Sequence, residues 1–144
     1  MLFSLSGISL SLLIGLCYAR PFVEPWVSCQ DISRVLNKID QSHSTVLASK
    51  FYVRGIKFYT DRPMAVIDIN GEGFFSAHPI PFLNTDQKVL EFLNSQATTY
   101  AIVKHSNVDD LKRIIKDQPF TLEELDGIGG KFIIKIKKKI NLII

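Results

Sequence analysis

Short apolar runs alternate with amphipathic stretches along most of the chain. Residues 45–69, TVLASKFYVRGIKFYTDRPMAVIDI, contain two apolar runs separated by an aromatic-rich stretch. The first run predicts a strand over 45–49. The second is continuously apolar and predicts a strand over 64–67 that is covered on both faces. Because Gly55 weakens a long helix, we expect a short or broken helix between the two strands. Strand, helix and strand begin a parallel sheet.

Helical periodicity is found on both sides of this unit. After Ser28 and Asp31, either of which would cap a helix, apolar side chains recur at the spacing of one helix face. The residues of this stripe are Ile32, Val35, Leu36 and Ile39. Thr85 predicts the start of a helix that runs to Ser95, and Asn107 predicts the start of another.

Further strands and one loop complete the expected sheet. Residues 70–83 hold two glycines and two prolines and predict a loop. Residues 100–104, YAIVK, predict a strand. Residues 120–125 and 131–138 lie on either side of a glycine-rich turn and predict a hairpin. Lysines alternate along the second strand of this hairpin, which is typical of an exposed edge.

The N-terminal residues 1–19 carry no charge and would form a helix about 28 Å long, close to the hydrocarbon thickness of a bilayer. Arg20 and Pro21 are expected to end this helix. No basic residue precedes Arg20, which favours a retained membrane helix over a signal peptide. The small residues near Ala19 leave cleavage after that position open.

The order β-α-β-loop-α-β-α-β-β predicts an α/β sandwich. Its sheet would be mainly parallel with a C-terminal antiparallel hairpin, and one N-terminal membrane helix would precede it. The expected divisions are a transmembrane helix or signal anchor at 1–20, a linker at 21–30, a soluble α/β domain at 31–139 and an apolar tail at 140–144.

Composition supports one domain with a sizeable core, since 47% of the 144 residues are hydrophobic and 22% are charged. The net charge is only +3, and the lysine surplus is confined to the C-terminal stretch. This distribution argues against a nucleic-acid-binding face. Cys17 lies in the apolar run and Cys29 in a polar segment, so we expect two unpaired thiols.

Candidate chemistry is sparse. The histidines His43, His78 and His105 are far apart and show no metal-ligand spacing, so neither a metal site nor a cofactor is predicted. Asp68, Glu72 and His78 would supply an acid, a base and a partner if they met at a strand end. The simpler interpretation is that Asp68 is solvated or bonded to its loop and that His78 lies on the surface of a proline-rich loop.

The motif FYTDRP, with Phe58, Tyr59, Arg62 and Pro63 as its distinctive residues, resembles one found in a family of bacterial membrane enzymes. The segment 45–72, with YAIVKHSNVDDLKRI and GGKFIIKI after it, is similar to the C-terminal soluble domain of family-39-type membrane glycosyltransferases. These enzymes are related to the lipid A aminoarabinose transferase and to protein O-mannosyltransferases. The resemblance covers about residues 31–138 and implies that the four motif residues are structural.

The resemblance also implies what the chain lacks. In that family the catalytic carboxylate lies in an early extramembrane loop and works with a polyprenyl-phosphate sugar donor, often with a divalent metal. We therefore expect a non-catalytic fragment or split subunit, single-pass in the inner membrane, whose partners are the membrane and a catalytic helical bundle. Arg20 favours a cytoplasmic domain by the positive-inside rule, whereas the resemblance implies an extracytoplasmic one, which we prefer.

Two alternatives stay open. One is an independent anchored or secreted domain that binds a ligand through the loop at 70–83. The other is a small enzyme that uses Asp68, Glu72 and His78.

Overall fold

The computed structural model describes residues 2–76 and 79–139. Its helices are α1 (Leu2–Val27), α2 (Gln30–Ile39), α3 (Val53–Thr60), α4 (Asp86–Asn94) and α5 (His105–Ile115). Its strands are β1 (Val46–Ser49), β2 (Met64–Ile67), β3 (Phe82–Leu83), β4 (Thr98–Lys104), β5 (Phe120–Ile128) and β6 (Lys131–Lys138).

The strands form one six-stranded sheet in the order β3-β2-β1-β4-β6-β5. The strands β3, β2, β1 and β4 run parallel, and β6 and β5 complete the sheet in antiparallel pairs. The central strand β1 places Ala48 opposite Val66 on one side and Ile102 on the other. The predicted α/β class, the mainly parallel sheet and the C-terminal hairpin are confirmed.

Helices cover both faces of the sheet. On one face α2 and α3 bury residues such as Leu36 and Ile56 against Val66 and Ile102. On the other face α4 and α5 pack against a second cluster of strand residues, which includes Ala65 and Ile134. Both faces of β1 and β2 are buried, which for β2 is what its continuously apolar sequence predicts.

Two predictions in the C-terminal half are wrong. The strand over 131–138 is not an edge, since β6 lies between β4 and β5, and β5 is the edge strand. Its sequence buries Ile133 on one face of the sheet and Ile134 on the other, so both faces of β6 are needed by the core. Asn107 does not start α5, which begins at His105, because the Asn107 side chain is buried in a contact with β1.

The loop predicted over 70–83 ends in a short strand, β3, which pairs in parallel with β2. Its two residues give no periodicity to detect. Thr85 caps α4 as predicted, since its Oγ1 accepts a hydrogen bond from the Lys88 N–H at 3.4 Å. At α2 the N-cap position is Cys29, and the Ser28 hydroxyl oxygen accepts a hydrogen bond from the Gln30 N–H at 3.1 Å.

The N-terminal helix is longer than predicted. It continues past Arg20 through Pro21 and Pro25 to Val27, so most of the expected linker at 21–30 is helical. The fixed φ angle of proline is compatible with a helix. Each proline leaves one helix carbonyl without a donor, but α1 is exposed, which reduces the energetic cost of that missing bond. Arg20 and Glu24 form an ion pair across the same turn, with Nε and Oε2 3.1 Å apart.

Within residues 2–76 and 79–139, no helix combines the length and the apolar character needed to cross a membrane. The predicted apolar tail at 140–144 lies outside the described residues. Both cysteines are free thiols, Cys17 on the exposed surface of α1 and Cys29 buried at the start of α2.

Candidate functional site

The carboxyl ends of the parallel strands form one edge of the sheet. The chain leaves β1 toward β2 on one side, whereas β4 lies on the other side of β1. The point at which the order of the strands reverses lies between Ser49, the last residue of β1, and Lys104, the last residue of β4. Open α/β sheets bind ligands at this switch point, so we treat it as the first candidate site.

Buried hydrogen bonds occupy the switch point. The Ser49 hydroxyl donates to Asn107 Oδ1 at 2.6 Å and accepts from the Lys104 N–H at 3.0 Å. The second amide atom of Asn107, Nδ2, donates to Asp110 Oδ2 at 3.2 Å. These bonds join β1, β4 and α5. The Ser49 hydroxyl therefore donates to an amide oxygen instead of to a general base, which does not match an activated nucleophile.

The predicted carboxylates Asp68 and Glu72 both approach Lys50, which follows β1. The Lys50 ammonium lies 3.5 Å from Asp68 Oδ2 and donates to the Glu72 carbonyl oxygen at 3.1 Å. Glu72 thus contributes its backbone to this contact. The Asp68 carboxylate thus pairs with a lysine from a different segment and not with its own loop. His78 lies outside the described residues, so the structure does not test the proposed trio.

An exposed aromatic–lysine pair lies beside the switch point and was not singled out from the sequence. Phe51 is 79% exposed, and the Lys104 ammonium lies 5.5 Å from the centre of its ring. Phe51 comes two residues after the end of β1 and follows Lys50. An aromatic residue placed directly after a buried parallel strand is the sequence signal that would have indicated a surface feature at this edge.

The motif residue Arg62 is buried, with only 1% of its surface exposed. Its Nη1 donates to Asp40 Oδ2 at 2.6 Å, and its Nη2 donates to the Asp40 carbonyl oxygen. Ser42 and Ser44 donate from their hydroxyls to the same carboxylate. Burial alone would raise the pKa of Asp40, but hydrogen bonds from Ser42, Ser44 and Arg62 outweigh it and hold that pKa below its ordinary value.

The other motif residues divide between the sheet and the surface. The Pro63 carbonyl accepts a hydrogen bond from the Val46 N–H at 2.9 Å, which sets the register of β1 against the start of β2. Phe58 and Tyr59 form an edge-to-face pair with centroids 5.1 Å apart, and Phe58 is 80% exposed. Arg62 and Pro63 thus have structural contacts, whereas the aromatic pair lies at the surface of α3.

A groove of about 780 Å³ runs between α3 and the loop that follows β2. Its lining is mostly apolar and includes Phe58, Phe74, Ile80 and Pro81. Arg62 also lines it, and its Nε has no hydrogen-bond partner among the described residues. This groove is the second candidate site.

The C-terminus of α1 is joined to the domain at the same edge as the switch point. The Lys131 ammonium donates to the Pro25 carbonyl at 2.8 Å and to the Trp26 carbonyl at 3.0 Å. It also lies 5.4 Å from the centre of the Tyr52 ring. Gly129 is required beside it, since a Cβ at that position would lie 1.8 Å from the Pro25 carbonyl oxygen. A lysine of β6 therefore caps the last turn of α1.

Within the described parts of the chain, no three His, Cys, Asp or Glu side chains are grouped so that they could hold a metal ion. Comparison with protein-family models, curated proteins and solved structures found no match.

Proposed function

We propose that this chain is a membrane-anchored, non-catalytic α/β domain of a glycosyltransferase that uses polyprenyl-phosphate-linked sugar donors. In this proposal α1 anchors the domain to the inner membrane and the domain lies on the extracytoplasmic side. Its role is to pack over the catalytic helical bundle or to shape the access of acceptors to it. The chemistry itself takes place in the bundle.

The observation that carries the anchoring is the exposure of α1. Its large apolar side chains between Leu12 and Val27 are 47–79% exposed. They include Leu12, Leu13, Ile14, Leu16, Tyr18, Phe22, Val23, Trp26 and Val27. Because these residues are consecutive or nearly so, they cover all sides of the helix, and such a helix needs a lipid or protein environment. The cap from Lys131 keeps α1 attached to the domain.

The geometry of the switch point supports a non-catalytic role for the domain. Ser49 is buried in structural hydrogen bonds, and Asp68 lies beside Lys50. The link to glycosyltransferases depends on the FYTDRP resemblance. The buried ion pair of Arg62 and the backbone hydrogen bond of Pro63 agree with the structural role that this resemblance implies.

A photo-crosslinking experiment tests the proposal. A photoreactive amino acid replaces Leu16, whose side chain is 69% exposed on α1, and the protein is irradiated in its native membrane. We expect a crosslink to a multi-helix glycosyltransferase. Replacement of Lys112, an exposed residue of α5, provides the control position, which should not give this product. Crosslinks from Leu16 to lipid alone, or to a protein of another class, would contradict the proposal.

The groove beside α3 favours a second candidate, an independent domain that binds a ligand through the loop at 70–83. Its apolar lining makes the groove suitable for an apolar ligand. Mass spectrometry of the mature protein separates the first candidate from a secreted form of the second. A soluble extracytoplasmic protein beginning at Arg20 would support the secreted domain, whereas an intact chain in the membrane fraction agrees with the first candidate.

A further inference from the structure

The groove beside α3 is lined by apolar side chains and by backbone groups that already have hydrogen-bond partners. Phe58, Phe74 and Ile80 supply part of the apolar lining. The carbonyls of Pro63 and Pro81 accept hydrogen bonds from strand N–H groups at 2.9 and 2.8 Å, and proline has no N–H to donate. An extended peptide binds largely through its backbone, so it would find few partners here. A hydrocarbon chain needs none.

The lining of the groove also contains one cation without a carboxylate partner. Lys57 pairs with Asp61, with Nζ and Oδ1 3.1 Å apart, and Arg62 is in the buried ion pair described above. Arg54 is exposed and donates from Nη2 to the Phe75 carbonyl at 3.3 Å. Its other guanidinium N–H groups have no partner among the described residues, so they are open to an acceptor. None of the described lining residues is acidic.

The carboxylates of the neighbouring elements do not neutralise Arg54. Asp68 is paired with Lys50 at 3.5 Å. Glu72 does not line the groove, and its contact with Lys50 is made by its carbonyl oxygen. On α2, Asp31 is paired with Arg34. The acidic residues at the starts of α4 and α5 belong to helices that pack on the other face of the sheet. The charge balance at the groove therefore favours an anion.

We infer that the groove binds a free fatty acid, with its carboxylate on the Arg54 guanidinium and its hydrocarbon chain against Phe58. The inference deepens the second candidate function, ligand binding by this groove, and rests on it instead of on anchoring by α1. Arg54 and Phe58 lie one turn apart on the same face of α3. The volume of about 780 Å³ falls within the range of small-molecule sites.

The single unpaired guanidinium decides the nature of the head group. Arginine binds a carboxylate through two parallel hydrogen bonds, and the two unit charges match. A phosphate monoester carries up to about two negative charges, of which one would stay without a partner. The structure therefore favours a carboxylate over a phosphate.

A tryptophan in the groove tests the inference. In the full chain Trp26→Phe removes the native tryptophan, and Phe58→Trp places a reporter in the lining. Phe51→Trp is the matched control, since Phe51 is 79% and Phe58 80% exposed and Phe51 does not line the groove. The probe is dodecanoic acid with bromine at the end of its chain, which quenches a tryptophan in contact with it. We expect saturable quenching at position 58 and none at position 51, which separates binding in the groove from adsorption to α1.

The selectivity for the carboxylate is measured with the reporter at position 58. The brominated alcohol of the same length should bind about five-fold more weakly than the acid, the effect of one partly exposed ion pair. Arg54→Gln should remove this difference, whereas Arg34→Gln, a matched change at an exposed arginine of α2, should retain it. Equal binding of acid and alcohol, or tighter binding of the alkyl phosphate of the same length, would overturn the assignment to a fatty acid.

Failure of the inference is distinguishable from failure of the candidate function on which it rests. If the acid and the alcohol quench position 58 equally, the groove binds apolar ligands and only the assignment to a fatty acid is overturned. If neither quenches position 58, ligand binding by the groove is overturned together with the inference.

Discussion

The ammonium group of Lys131 donates a hydrogen bond to the carbonyl oxygen of Pro25 at 2.8 Å, and this contact joins the last turn of α1 to β6. A second bond, to Trp26, satisfies another carbonyl at the same helix end. Lys131 is only 1% exposed, so its charge is held where the negative end of the helix dipole faces it. These two bonds join the end of α1 to the sheet.

Replacing Lys131 by methionine should loosen this junction. The substitution keeps much of the volume but leaves two helix carbonyls without their donor, a loss of about 1–3 kcal/mol in the free energy of unfolding. Amide hydrogen exchange at residues 26–28 should rise, because the last turn of α1 loses its cap. Lys137→Met, an exposed change on the same strand, is the control and should alter neither quantity. Unchanged exchange at residues 26–28 in the Lys131 variant would contradict the cap.

The ion pair between Arg62 and Asp40 should dominate the stability of the motif region. Asp40→Asn removes the charge that opposes a buried guanidinium, so we expect a loss of about 3–5 kcal/mol in the free energy of unfolding at neutral pH. Asp31→Asn breaks an exposed pair with Arg34 and should cost at most about 1 kcal/mol. Equal effects of the two substitutions in denaturant titrations would show that burial of the pair has no energetic consequence.

The ion pair between Arg62 and Asp40 also predicts how the stability of the fold changes with pH. Because the pKa of Asp40 is lowered in the folded protein, its stabilisation is present above the unfolded pKa of about 3.9 and is lost as the pH falls through the folded value. The stability of the wild type should therefore decrease below about pH 4. The curve for Asp40→Asn should lie lower at neutral pH and converge with the wild-type curve in acid. Parallel curves would contradict the lowered pKa.

The hydroxyl of Ser49 should be structural. Ser49→Ala leaves the Lys104 N–H and the Asn107 amide oxygen without their partner, and we expect a loss of about 1–3 kcal/mol in denaturant titrations. Ser95→Ala removes an exposed hydroxyl that bonds to its own helix end and serves as the control. A Ser49 variant as stable as the wild type would show that these two hydrogen bonds do not stabilise the fold.

The sheet was predictable because its strands carry strong local signals. Residues 64–67 are uninterrupted apolar residues, and Thr85 is an unambiguous cap, so β2 and the start of α4 follow from sequence alone. The internal position of β6 could not be predicted from sequence. Alternating lysines are typical of an edge strand when the residues between them are buried on one face only. Ile133 and Ile134 are both buried, and pairing with β5 is a long-range contact that local pattern does not encode.

The candidate site was harder to predict than the fold. Asparagine is a common helix cap, but the side chain of Asn107 bonds to Ser49, which lies far away in sequence. Lys131 belongs to a run of lysines that looks solvated, and only the packing of α1 against the β5–β6 turn buries it. In both cases a polar side chain is fixed by tertiary contacts between distant segments, which single-sequence periodicity does not contain.

The most direct test of the account is membrane attachment through α1. Full-length protein is incorporated into vesicles, washed with alkaline carbonate and separated by flotation. We predict that the wild type floats. The double variant Leu12→Lys with Leu16→Lys adds two charges to exposed positions of α1 and should stay at the bottom of the gradient. The control Phe58→Lys/Tyr59→Lys adds the same charges to α3 and should float. A wild type that is washed off, or a charged α1 that floats as well as the wild type, would contradict the account.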